Sequence, residues 1–162
     1  MFFGSLVHQT IEDVHKWVLE GRPIKEIEAD LDAMFSANYR NLVNSGLRPI
    51  SEEQRDLARQ QVGNYFTQNQ DRMNQVIETE VDVSVEKEKY ILVGRIDLLM
   101  GDDNRLELLD FKAQPRPSRS APWLDTYQQQ LLVYAHILEQ RYGKRPDRLA
   151  LYWTGERTRD QA

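Results

Sequence analysis

Hydrophobic positions fall at helical spacing along the first part of the chain and then change rhythm. Val7, Ile11, Val14 and Val18 recur one turn apart with Trp17 beside them, and Gly21 and Pro23 punctuate the end of that helix. Ile24, Ile27, Leu31, Met34 and Phe35 carry the pattern into a second helical segment, until SGLRPISEEQ interrupts it. Ser51 followed by Gln54 is a capping-box signature: each side chain can satisfy a backbone N–H at a helix start. The third helix predicted from it runs to about Asn74 and carries Leu57, Val62, Tyr65 and Phe66.

From Val76 to Lys112 the chain alternates and is rich in β-branched residues. Ile77, Val81, Val83 and Val85 predict one strand, Tyr90 to Met100 a second and Leu106 to Lys112 a third. The turns between them are Glu86-Lys87-Glu88-Lys89 and Gly101-Asp102-Asp103-Asn104. Such short connections imply an antiparallel meander. The stretch AQPRPSRSAP holds three of the six prolines and reads as a loop. An amphipathic helix follows, from about Leu124 to Tyr142, then a break over Gly143–Pro146 and a short strand from Leu149 to Trp153. A strand–helix–strand order here favours a right-handed crossover and a parallel pair. The fold class is therefore α/β: a mixed four-stranded sheet with an N-terminal helical region. One domain is expected over 1–162, with a helical front over 1–75 and an α/β core over 76–162.

Composition narrows the chemistry. Hydrophobic residues make up 40% and charged residues 29%, an ordinary globular balance. No apolar run approaches the ~18–20 residues of a membrane helix. There are no cysteines, which excludes disulfides, thiolate zinc sites, a cysteine nucleophile and a cysteine-ligated iron–sulfur cluster. A reducing, cytoplasmic setting fits that usage. The net charge of -5 excludes capture of nucleic acid by bulk electrostatics, so DNA would need a local basic surface or delivery by a partner.

Chemistry concentrates on two neighbouring strands. Asp97 lies in Gly94-Arg95-Ile96-Asp97, and Asp110 and Lys112 lie in Leu109-Asp110-Phe111-Lys112. Residues two apart in a strand share a face, so Asp110 and Lys112 project together, on the face that begins with apolar Leu106 and Leu108. An apolar strand that turns charged at its end breaks a local rule, as functional sites often do. The turn at 101–104 can bring Asp97 beside Asp110. Two carboxylates on adjacent strands form a hard oxygen site suited to Mg²⁺ or Mn²⁺, and an adjacent lysine can orient water or offset phosphate charge. The ordinary alternative is a surface ion pair at a strand end.

GRIDLL, then LELLDFKA, then YQQQLLVYA resembles the RecB-like branch of the PD-(D/E)xK nuclease superfamily, over nearly the whole chain from Gly4 to Trp153. The opening FGSLVHQTIED, the strand ETEVDVSV and the ending LYWTGE are similar to the nuclease domain at the C-terminus of UvrD-like DNA helicases. The resemblance implies a restriction-endonuclease-like core and a Mg²⁺-dependent, exonuclease-like deoxyribonuclease acting on single-stranded DNA ends. It further implies a helicase motor in the same polypeptide that delivers the strand, and a role in DNA repair or recombination. By residue, it implies metal ligation by Asp97, Asp110, the Phe111 carbonyl and His8, a catalytic role for Lys112, and a Q-x-x-x-Y motif in Gln130 and Tyr134. The competing expectation is a nuclease-like DNA-binding or docking module without turnover.

Several positions stay open between readings. Tyr127, Gln130, Leu131, Tyr134, Ala135 and Leu138 fall on one helical stripe, so Gln130 is expected to face inward with a partner: a lysine, a carboxylate, a DNA phosphate or a backbone carbonyl. His8 reads as a ligand or as polar surface. His15 and His136 read as non-ligands. Glu80 is a secondary candidate near the start of the first strand. Arg116 and Arg119 either contact a phosphate backbone or sit in a solvated loop, and Arg95 is expected to serve the other side of the sheet.

Overall fold

The computed structural model describes residues 1–162. Four α-helices and four strands follow one another in the predicted order: α1 (Phe2–Leu19), α2 (Ile27–Asn44), α3 (Glu52–Asn69), β1 (Val76–Glu86), β2 (Ile91–Gly101), β3 (Leu106–Lys112), α4 (Leu124–Tyr142) and β4 (Arg148–Trp153). Short 3₁₀ turns over Ile24–Glu26 and Gln70–Gln75 precede α2 and follow α3. Contacts divide the chain into two compact units. One contains Met1–Asn74, Phe111–Arg116 and Trp153–Ala162, and the other Gln75–Asp110 and Pro117–Tyr152.

The first unit is helical. Leu6, Val7, Ile11, Val14 and Trp17 of α1 are buried, as are Ile27, Leu31, Phe35 and Leu42 of α2. Each such side chain stabilises by roughly 1.5–3 kcal/mol on leaving water. The Ser51 hydroxyl accepts from the Gln54 N–H (3.2 Å) and the Gln54 side chain accepts from the Ser51 N–H (3.3 Å), so the predicted capping box starts α3. Two details of α3 differ from the pattern. Leu57 is exposed, because the buried stripe runs through Ala58, Gln61, Val62, Tyr65, Phe66 and Asn69, and Leu57 lies one residue off it. The helix also ends at Asn69 rather than near Asn74. There the Asn69 amide donates to the Tyr65 carbonyl (2.8 Å), a side-chain bond that competes with helical backbone pairing.

The second unit holds most of the sheet, with strand order β1-β2-β3-β4. β1, β2 and β3 form the antiparallel meander, and β4 lies parallel beside β3. The Asp147 N–H donates to the Leu106 carbonyl and the Leu106 N–H to the Asp147 carboxylate, both at 2.8 Å, which fixes the entry to β4. α4 ends at Gly143, whose φ of 68° closes the helix through a bond from its N–H to the Glu139 carbonyl (2.9 Å). Leu131, Tyr134, Ile137 and Leu138 of α4 share one core with Val81, Val83, Ile96, Leu99, Leu106 and Leu108 of the strands.

Candidate active site

The strand register sets the acidic residues. Thr79 pairs with Leu98 and Val81 with Ile96, so Glu80 and Asp97 lie level between those pairs. On the other side the β2–β3 pairing ends at Leu98↔Leu109, so Asp97 and Asp110 each lie one residue beyond its last pair. Glu80, Asp97 and Asp110 thus form a row of carboxylate residues on β1, β2 and β3 at the end of that pairing. Asp110 is buried, and Asp97 and Glu80 are half-buried.

The sheet is irregular at this row. Strict alternation would send Ile96 and Leu99 to opposite faces, yet both pack into the core shared with α4. The change of face falls between them, at Asp97 and Leu98. Level with it, Glu80 has a φ of 49° and is the chain's one non-glycine residue with positive φ. A non-glycine residue in the left-handed region costs on the order of 1–3 kcal/mol and persists where the surroundings demand it. The irregularity re-aims side chains where the acidic residues gather. Sequence reading ranked Glu80 second. Nothing in ETEVDVSV separates it from Glu78 or Asp82; only the register with β2 does. Arg95 alternates with buried Ile96 and is exposed, on the side of the sheet away from the core, as expected. Its guanidinium pairs with Asp82, its partner in register (3.0 Å), and with Glu80 (3.1 Å).

Gln130 and Tyr134 lie one turn apart on α4. The Gln130 amide donates to the Tyr134 hydroxyl (2.7 Å). Tyr134 is buried and Gln130 is exposed, so the inward placement expected for Gln130 is corrected: its partner is the tip of Tyr134, at the rim of the core. The Tyr134 ring lies over Gly94, where an added Cβ would collide with the ring carbons. That contact gives the glycine of GRID and the tyrosine of Q-x-x-x-Y one physical reason: the ring needs the space a side chain would fill.

His8, Phe111 and Lys112 belong to the helical unit. His8 is half-buried, with its ring edge-on to Phe111 at 6.4 Å. Phe111 is buried; its ring stacks on His15 (5.9 Å) and meets Tyr65 edge-to-face (5.2 Å). Lys112 is half-buried, and its carbonyl accepts from the Thr154 N–H (3.0 Å). Asp110 and Lys112 stand two apart in β3, the spacing that puts both on one face of a strand.

The remaining candidates have plain partners. His15 is fully buried, and its Nε2 lies 2.6 Å from the Tyr65 hydroxyl. Burial pushes its pKa down to about 3, so it is neutral. His136 accepts from the Lys87 ammonium (2.9 Å). Arg116 is tied through its N–H to the Glu156 carboxylate (2.6 Å), and Arg119 is exposed.

No three acidic or histidine side chains converge tightly enough to enclose a metal ion as they stand. The donor chemistry nonetheless suits one. Carboxylates on adjacent strands are hard oxygen ligands, and like charges standing level across strands repel unless a cation offsets them.

A sequence model of the PD-(D/E)XK nuclease superfamily matches residues 2–161. No curated protein matches the sequence. Among solved structures, the crystal structure of protein VC1899 from Vibrio cholerae is similar at 13% identity and a TM-score of 0.32. That match covers 94% of this chain and 53% of the other, so the chain spans about half the length of that protein.

Proposed function

This chain belongs to the PD-(D/E)XK nuclease superfamily, and from that premise we propose that it is a Mg²⁺-dependent deoxyribonuclease of the RecB-like branch that cleaves single-stranded DNA ends. The observation that carries the reading is the row formed by Asp97 and Asp110 on adjacent strands, with Lys112 two residues beyond Asp110 on β3. Asp97 and Asp110 would hold the divalent cation, with Mn²⁺ able to substitute for Mg²⁺, and Glu80, His8 and the Phe111 carbonyl would be further donors. When bound, that ion supplies charge neutralisation at the phosphate and a more acidic water. The Lys112 ammonium orients the attacking water and offsets charge building on the phosphoryl oxygens. Water adds to phosphorus, the P–O ester bond breaks, and the leaving oxygen takes up a proton. Tyr134, held by Gln130 and seated on Gly94, presents a hydroxyl and an amide at the rim of the core to position the DNA strand.

The setting proposed is a single nuclease domain fused to a UvrD-like helicase motor, in DNA repair or recombination. Its support is the similarity of FGSLVHQTIED, ETEVDVSV and LYWTGE to such domains, and the net charge of -5, which suits a strand delivered by a motor. The test is cleavage of a single-stranded oligonucleotide with Mg²⁺ or Mn²⁺. Asp110→Ala and Lys112→Ala are each expected to lower kcat by roughly 10²–10³-fold, the scale for losing one transition-state contact. Cleavage that persists unchanged in both variants would overturn the assignment.

A further inference from the structure

The helical unit grips Phe111 and Lys112 at two independent points. At the first, the Phe111 ring is enclosed by His15, stacked at 5.9 Å with planes 25° apart, and by Tyr65, edge-on at 5.2 Å. His15 and Tyr65 are themselves locked together at 2.6 Å. At the second, the Lys112 carbonyl accepts from the Thr154 N–H (3.0 Å), and the Thr154 hydroxyl donates to Gln61 Oε1 (2.9 Å) while its oxygen lies 3.4 Å from the same carbonyl, so the one proton is at most shared between them. Gln61 and Tyr65 are both buried and lie four residues apart, on one face of α3.

Packing alone does not explain these residue types. His15 is fully buried, and its Nδ1 has no hydrogen-bond partner. Gln61 and Thr154 are polar side chains that are 6% and 3% exposed. Apolar residues of similar size would fill these places without the desolvation cost of buried polar groups. Directional hydrogen bonds do what apolar packing does less well: they fix orientation. What they hold is the ring of Phe111 and the carbonyl of Lys112, the two residues that follow Asp110.

We propose that His15, Tyr65, Gln61 and Thr154 are positioning residues for the nuclease reaction. The His15–Tyr65 pair orients Phe111 and hence its carbonyl, and the Gln61–Thr154 pair orients Lys112. This inference rests on the nuclease reading above. It assigns His15, Tyr65, Gln61 and Thr154 a part in holding Phe111 and Lys112, with which they share one unit.

The test compares Thr154→Val and Tyr65→Phe, which remove one hydroxyl each, with Thr154→Ser, which keeps it. Each is assayed as the whole chain for kcat and KM on a single-stranded oligonucleotide with Mn²⁺, and separately for Mn²⁺ affinity by titration. Supporting partners of metal ligands typically change affinity or activity on the order of tenfold or more when removed. Thr154→Val is expected to lower kcat on the order of tenfold with KM nearly unchanged, and Thr154→Ser to restore it. In a Lys112→Ala background Thr154→Val is expected to have no further effect on kcat, because the carbonyl it holds remains but the ammonium whose position that carbonyl sets is absent. Tyr65→Phe is expected to weaken Mn²⁺ binding on the order of tenfold. If Thr154→Val fails to fold, Gln61→Met breaks the same tether from its other end. Variants that lose thermal stability while kcat and Mn²⁺ affinity stay at wild-type values would overturn the positioning role, as would full additivity of Thr154→Val with Lys112→Ala. An active wild type with unaffected variants defeats this proposal alone, whereas a wild type without metal-dependent cleavage defeats the nuclease reading and this proposal with it.

Discussion

The helical unit and the sheet unit treat polar groups in opposite ways. In the helical unit, buried polar side chains pair with one another: Asn38 donates to Thr10 (3.3 Å) and Asp13 (2.7 Å), His15 meets Tyr65 through Nε2 while its Nδ1 has no partner, and Thr154 meets Gln61. These pairs fix helices in register and leave the unit little unbalanced charge at their positions. In the sheet unit, Glu80, Asp97 and Asp110 form a row on consecutive strands, and the backbone at Glu80 is strained. Level like charges destabilise a sheet, and so does a left-handed glutamate. One region uses polar pairs to set geometry, and the other gathers carboxylates, among them Glu80 paired with Arg95 (3.1 Å), beside a strained backbone.

The comparison breaks first, and most visibly, with pH. His15 in the folded helical unit has its pKa pushed down from 6.5 to about 3, while in the unfolded chain it titrates near 6.5. Between those values the unfolded state binds a proton that the folded state refuses. The stability tied to His15 is therefore complete above about pH 6.5 and is lost progressively as pH falls toward 3. At pH 5 the loss amounts to about 2 kcal/mol. Urea denaturation at pH 7 and pH 5 should show that drop in the wild type and a much flatter response in His15→Phe. An equal drop in both would place the acid sensitivity elsewhere.

A smaller effect sharpens the other half. Without divalent metal, Asp97→Asn relieves like-charge repulsion in the row and is expected to stabilise the protein by about 0.2–1 kcal/mol, while removing activity. The midpoint of chemical denaturation in a chelator reads this directly. A variant less stable than the wild type would mean the row is already balanced by the protein itself.

Much of the architecture was legible because its periodicities are strong. α4 and β3 fall where the pattern put them, and the capping box at Ser51 names the start of α3. Errors arose where one residue of phase decides burial: Leu57 is exposed beside the true stripe, and Gln130 sits outside the core. At the proposed site, Asp110 and Lys112 stood out on a strand that turns charged at its end, and Asp97 on the strand before it. Glu80 could not be singled out, since its standing depends on pairing with β2 and on a backbone angle that no residue type announces. The tethers from α3 were equally hidden. Gln61 and Thr154 are far apart in sequence, and no local pattern links them.

The central claim is that the row of carboxylates on β2 and β3 is a divalent-cation site. Calorimetric titration of Mn²⁺ into the metal-free wild type, Asp97→Asn and Asp110→Asn tests it most directly. The account predicts saturable binding to the wild type that is lost in both variants, with each variant still folded. Absent binding in the wild type, or binding equally strong in all three proteins, would contradict it.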